Sequence, residues 1–251
     1  MVNAEIRKLT DSQSKDQLAD LIRFYELFTR LEQNVGGKRL LSQCNGRMSW
    51  PSRGVYFFFE PGEDRSDSGT GARVVRVGTH GLKAGSRASL WNRLSAHGGT
   101  AHGGNHRGSI FRLLVGAAIK GSGGLDGVDS WGVGRDMPTA AHLLGLAIEQ
   151  IKASEAPLEK KVSDRIRAMP LLWLRVEDDT GPKSHRGAIE RNSIALLSSR
   201  RQPFDPPSGN WLGAKSESKL VRSSGLWNNR HVDEIHDSEF LDLLEGYLLA
   251  F

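Results

Sequence analysis

Cysteine is almost absent: Cys44 is the single one in 251 residues. An internal disulfide framework and a cysteine-rich zinc centre are thereby excluded. Long apolar runs are missing as well. Those present, such as 55–59 and 170–174, fall far short of the ~20 residues a membrane-spanning helix needs. Residues 1–18 are charged and lack an apolar central stretch, so no secretory signal is read and a cytoplasmic protein is expected. There is no G-x-x-x-x-G-K-[ST] loop, no G-x-G-x-x-G after a strand and no G-x-S-x-G elbow. These gaps argue against a nucleotide-binding enzyme and a serine hydrolase. Internal repeats and low-complexity tails are absent too.

What is present is enough apolar residue, 38% and spread along the chain, to form a packed core. The length suits one large domain or a small catalytic core with additions. A formal net charge of +5 favours polyanionic partners through counterion release and steering. Arginines concentrate at 73–93, 107–112 and 186–201.

Leu18, Leu21, Ile22, Tyr25, Phe28 and Leu31 recur at three- and four-residue steps, which predicts an amphipathic helix over 14–34, closed by Gly36-Gly37. Residues 54–60 (GVYFFFE) and 72–79 (ARVVRVGT) read as strands joined by a polar loop, an antiparallel pair. A short helix is expected over 88–97 and a Gly/His-rich loop over 98–108. A helix capped by Ser109 follows through 119, then a Gly-rich loop at 121–134. Helix is read at 139–153 and again at 156–168 after Pro157. A third strand spans 170–178, a helix 185–199, and a closing helix 238–249. The resulting plan is α+β, a small three-stranded antiparallel sheet flanked by helices. Residues 1–50 read as an N-terminal helical extension, 51–210 as the core with a helical insertion at 98–169, and 211–251 as a C-terminal extension packed on it.

Gly54-Val55-Tyr56 stands on the first strand and Arg76-Val77-Gly78 on the second. Arg93 and His97 lie four residues apart on the next helix and so share one face. Glu190 lies on the helix after the third strand, and Asn210 follows Pro203, Pro206 and Pro207. This ordered set, over roughly 53–97 and 170–210, resembles the GIY-YIG nuclease family. One departure is plain: Arg76 stands where the family has its second tyrosine. The resemblance implies a DNA endonuclease that hydrolyses phosphodiester bonds with Mg²⁺ or Mn²⁺. It implies that Tyr56 activates or positions water, that Arg93 clamps the phosphate, and that His97 bonds a phosphate oxygen or assists proton transfer. Glu190 holds the metal, and Asn210 supports the metal shell, the fold or DNA.

The residue types suit that chemistry, which needs a base, cations for the phosphate oxygens and a stabiliser of the leaving oxygen. Strand alternation puts Tyr56 and Phe58 on one face, and Val74, Arg76 and Gly78 on one face. Arg76 beside Tyr56 would favour its phenolate. Position alone gives bland alternatives: Tyr56 among three phenylalanines fits a core, and Arg93 fits a solvated helix face. Glu190 is more telling. Ile194 and Leu197 follow it at four and seven residues, so a carboxylate lies on an apolar stripe, costly unless paired, protonated or metal-bound. Arg87 is the alternative phosphate ligand. Asn105, His106 and Arg107 open a helix whose N–H groups suit an anion, and a plain capping loop fits equally well. His97, His102 and His106 lack the acidic or cysteine partners of a metal site. Trp227 reads as packing, while Asn228, Arg230 and His231 are further DNA-contact candidates.

A catalytically inactive DNA-binding module is the rival, favoured by Arg76. Tyr56, Arg93, His97 and Glu190 together oppose it, since a binder needs no metal carboxylate. The additions around the core resemble those of restriction-type members, and a symmetric cut would suit a homodimer.

Overall fold

A computed structural model describes residues 2–123 and 127–250, with side chains from residue 14 onward; the Gly-rich loop expected at 121–134 thus lies partly outside the described residues. The element order is α1 (Val2–Val35), β1 (Arg39–Leu40), β2 (Gly54–Asp64), β3 (Ala72–Gly78), α2 (Leu90–Gly98), α3 (Ile110–Gly121), α4 (Met137–Leu144), α5 (Ile148–Arg167), β4 (Pro170–Arg175), α6 (His185–Leu197), α7 (Lys219–Ser224) and α8 (Glu239–Leu249). The fold is α+β. Its sheet has four strands in the order β1-β4-β2-β3, every pair antiparallel. β1 is the strand that sequence patterning did not give, because two residues carry no periodicity.

Both faces of the sheet are covered, which explains why β2 is apolar from Gly54 to Phe59 rather than alternating. Val55, Phe57 and Phe59 face α1, α6 and α8, meeting Phe24, Phe28, Ile189 and Leu244. Tyr56 and Phe58 face α2, α3 and α5, meeting Leu94, Phe111, Leu158 and Val162. The α1 stripe is shifted from the expected one: Phe24 and Leu27 are buried, Leu18 is half-buried and Ile22 is exposed.

Two local expectations are corrected. The β2–β3 register shifts between Phe58, paired with Arg76, and Phe59, paired with Val74, so Val75 is an extra residue. This bulge sends Val74 to the α1 face and Val75 to the α3 face. Val74 therefore does not share the face of Arg76 and Gly78. The second correction concerns the helices after residue 136. The break falls at Gly145, in the left-handed conformation (φ 64°) that suits a helix end. Pro157 sits inside the continuous α5. Buried Leu158, Val162 and Ile166 hold that helix against the loss of one backbone hydrogen bond.

The β3 edge is closed by the segment before Asn229. Trp227 N donates to Val75 O (2.7 Å), and Asn228 pairs with both backbone groups of Val77 (3.2 and 2.9 Å). A side-chain amide here does what a neighbouring strand would do. The C-terminal α8 packs on α1, where Glu245 pairs with Arg23 and Arg30. No helix among the described residues is long and apolar enough to cross a membrane.

Candidate active site

β2 and β3 bring the two glycine triplets side by side: Tyr56 lies directly opposite Gly78. The Tyr56 ring fills the space a side chain at 78 would take. A Cβ added there would lie 2.2 Å from the phenolic oxygen, so the glycine of the second triplet is a steric requirement of the tyrosine of the first. We expect Gly78→Ala to displace Tyr56 and destabilise the fold by about 1–3 kcal/mol through overpacking. Thermal melts measure this, and an unchanged Tm would refute it.

The Tyr56 hydroxyl meets His97 Nε2 at 2.7 Å, and His97 Nδ1 meets Ser109 Oγ at 2.6 Å. His97 is fully buried against Phe58 and Phe111. Burial, with Arg93, Arg76 and Arg112 nearby, holds its imidazole pKa well below the ordinary 6.5. The ring is therefore neutral, with one N–H and one lone pair, and it joins Tyr56 to Ser109 in a single hydrogen-bonded chain. Ser109 itself caps α3 by accepting from Arg112 N.

Beside this pair runs a groove. One hollow of about 420 Å³ is lined by Arg76, Arg93, Glu190, Asn228, Arg230 and His231 among others. A second, of about 550 Å³, includes Thr79, His80 and Lys83, and shares Leu82, Arg93, Glu190 and Arg230 with the first. Glu190 is half-buried and its Oε1 accepts from Thr79 N (3.2 Å). Burial raises its pKa, against the opposing pull of Arg76 and the Thr79 N–H. Arg76 is buried; it donates to Trp227 O (2.5 Å) and lies over Phe111, while its Nε has no hydrogen-bond partner. Arg93 is half-exposed and donates to Gly108 O (3.3 Å).

Arg76, Arg93 and Glu190 thus share the groove wall, with Tyr56 and His97 buried behind it. The other expected residues lie elsewhere. Arg87 is exposed on the loop before α2, and Asn210 is exposed outside the hollows. The asparagine at the groove is Asn228. Asn105 accepts from Arg107 N. His106 is buried: its N and Nδ1 bond Glu159 Oε1 (2.6 and 2.9 Å), its Nε2 accepts from Gly132 N, and it stacks on Trp131. The Arg107 side chain is buried in a two-pronged pair with Glu155 (2.7 and 2.8 Å). The anion at this helix end is the protein's own Glu159.

Sequence reading passed over His80. It is buried on the groove wall, donates from Nε2 to Ser52 O (3.1 Å), and has Nδ1 without a hydrogen-bond partner. Its place two residues beyond the second triplet was the available signal.

No cluster of three metal-ligating side chains exists among the described residues. A hydrated Mg²⁺ or Mn²⁺, however, needs only one or two carboxylates with waters and substrate phosphate completing the shell. Glu190 fits that demand, with one oxygen fixed by Thr79. No curated protein and no solved structure matches the chain. The family model described as the GIY-YIG domain matches residues 15–250, through the helices at both ends as well as the core. With its two glycine triplets paired across β2 and β3, this chain belongs to the GIY-YIG family of nucleases.

Proposed function

We propose that the chain is a divalent-metal-dependent DNA endonuclease of the restriction type. The observation that carries this reading is the groove, where Arg76, Arg93 and Arg230 surround the single carboxylate Glu190 beside the Tyr56–His97 pair. Three guanidiniums suit a phosphodiester, and the planar fork suits its paired oxygens. Arg76 Nε, buried without a partner, is a donor that a phosphate oxygen would satisfy. Glu190 would hold the metal, which when bound supplies charge neutralisation at the phosphate and the leaving oxygen.

Neutral His97 can hold Tyr56 in place: with Ser109 donating to Nδ1, Nε2–H donates to the phenolic oxygen. That bond fixes the orientation of the Tyr56 ring and hydroxyl. His97 thus acts through Tyr56, without touching phosphate. Arg76, in the place of the second family tyrosine, adds a positive charge to the same region. Asn228 fixes the β3 edge and with it the position of Arg76.

The test is incubation of supercoiled plasmid and mixed genomic DNA with Mg²⁺, Mn²⁺ or EDTA. We expect metal-dependent cutting into discrete bands, and a fall of about 10²–10⁴-fold in Tyr56→Phe. Salt-sensitive DNA binding with no cutting would instead identify an inactive binding module, with Arg76 as the cause.

A further inference from the structure

Three tryptophans meet in a row, Trp50 stacked on Trp91 and tilted against Trp173. Trp50 lies 5.3 Å from Trp91 and 4.6 Å from Trp173, ring centre to ring centre. Trp50 and Trp173 form one wall of a separate hollow of about 620 Å³, completed by Val35, Met48, Arg39 and Arg175. This volume lies within the roughly 300–1,000 Å³ of small-ligand sites. Trp50 is half-buried, and the arginines are exposed, Arg175 with 66% of its side chain open. The one carboxylate of the lining, Glu177, accepts from Ser52 N (2.9 Å) and Arg53 N (3.4 Å) and lies 3.7 Å from Arg175 Nε in an exposed ion pair. The hollow therefore offers aromatic and apolar walls with two exposed arginines at its rim, Arg39 and an Arg175 held only by the long, solvent-exposed contact with Glu177.

Its position is as informative as its chemistry. Trp173 pairs directly with Tyr56 across β2–β4, so both rings stand on the same face of the sheet. Trp91 is two residues before Arg93 on α2. The two hollows meet at one contact: Ser52 lines the aromatic hollow, His80 lines the groove, and His80 Nε2 donates to Ser52 O. A strand whose phosphate lies by Arg93 needs only to cross that ridge to reach Trp50.

We infer that the Trp50–Trp173 hollow binds one unstacked nucleotide of a DNA strand, its base against the tryptophan wall and its phosphate at Arg39 and Arg175. An aromatic surface with flanking cations is what single strands recognise, since every base has a π-face. A base inside an intact duplex cannot reach it. The hollow thereby selects a single-stranded or locally opened stretch of DNA next to the cutting groove. The inference rests on reading the groove as a nucleic-acid site.

Binding of a fluorescein-labelled oligo-dT strand and of a matched duplex, measured by anisotropy in EDTA, tests this without any chemistry. For the single strand, Trp50→Ala and the double variant Arg39→Glu/Arg175→Glu should each lose about 10-fold in affinity, with less than about two-fold change for the duplex. Trp50 also stacks on Trp91, so the exposed arginine pair is the variant that leaves packing untouched. Unchanged single-strand affinity in the arginine double variant overturns the inference. So does equal loss on both probes, which marks a plain phosphate patch. If wild-type protein cuts nothing with Mg²⁺ or Mn²⁺ yet these variants still lose the single strand selectively, the catalytic reading fails and the hollow stands. If cutting is normal and the variants bind both probes like wild type, only the hollow fails.

Discussion

Glu190→Gln should reduce DNA cleavage by about 1,000-fold or more, the scale set by losing a main electrostatic contact to the reacting phosphate, while the protein itself becomes more stable. The two effects share a cause. Burial raises the Glu190 pKa above its ordinary 4.5, so the folded state favours the neutral acid more than the unfolded state does. The stabilisation belonging to that proton is complete below pH 4.5 and is lost as pH rises through the folded pKa. At neutral pH the ionised carboxylate therefore weighs against the fold. Glutamine keeps the acceptor for Thr79 N–H and removes the charge. We expect its Tm in EDTA at pH 7 to rise by about 2–4 °C, the shift that ~1 kcal/mol gives in a chain of this size. Near pH 4 the gain should vanish. Calorimetry at both pH values, alongside plasmid nicking, measures all three. A Gln variant that is less stable at pH 7, or as active as wild type, would remove Glu190 from its proposed place.

The paired triplets were legible because each is a single strand with its own pattern: a β-branched and aromatic run that starts or ends in glycine. Glu190 stood out because a carboxylate on an apolar stripe needs an explanation that the stripe itself does not supply. What stayed hidden depends on partners distant in the chain. The Val75 bulge exists only in the register with Phe58, and alternation along one strand cannot reveal it. Glu159 lies 53 residues from His106, so the helix start at 105–109 looked open to a foreign anion when it was already occupied. Asn210 matched the expected order after prolines, yet it is exposed away from the groove, where Asn228 stands, placed there by the return of the chain along the sheet edge. Pro157 looked like a helix boundary because its local cost was visible and the buried contacts that outweigh it were not. His80 was passed over because a histidine after a strand has no meaning until the groove beside it is seen.

The occupied helix start carries the second large expected effect. Arg112 is fully buried, and its guanidinium is fully engaged. Nε donates to Glu159 Oε2 (3.0 Å), Nη2 to the same carboxylate and to Glu159 O (2.9 Å), and Nη1 to His97 O and Ser163 Oγ (both 3.0 Å). Burial pushes the Glu159 carboxyl up, but hydrogen bonds from His106 and Arg112 outweigh it and the net shift is downward. The resulting stability is present above the ordinary 4.5 and is lost as pH falls through the folded value. Arg112→Met leaves Glu159 a buried anion without its main partner, and we expect a loss of about 3–5 kcal/mol, roughly 10 °C in Tm. Adding Glu159→Gln to it removes the bare charge and should recover part of that loss. Acidification below pH 4.5 should narrow the gap between Arg112→Met and wild type, because protonation neutralises the same group. The network also reaches the chemistry, since Arg112 holds the carbonyl of His97 at the end of α2 and follows Ser109 by three residues. Cleavage by Arg112→Met should therefore fall even at temperatures well below its Tm. Full activity in the folded variant would show that the network serves stability alone; reduced activity that Glu159→Gln fails to restore would tie the α3–α5 packing to the orientation of His97, and through it to Tyr56.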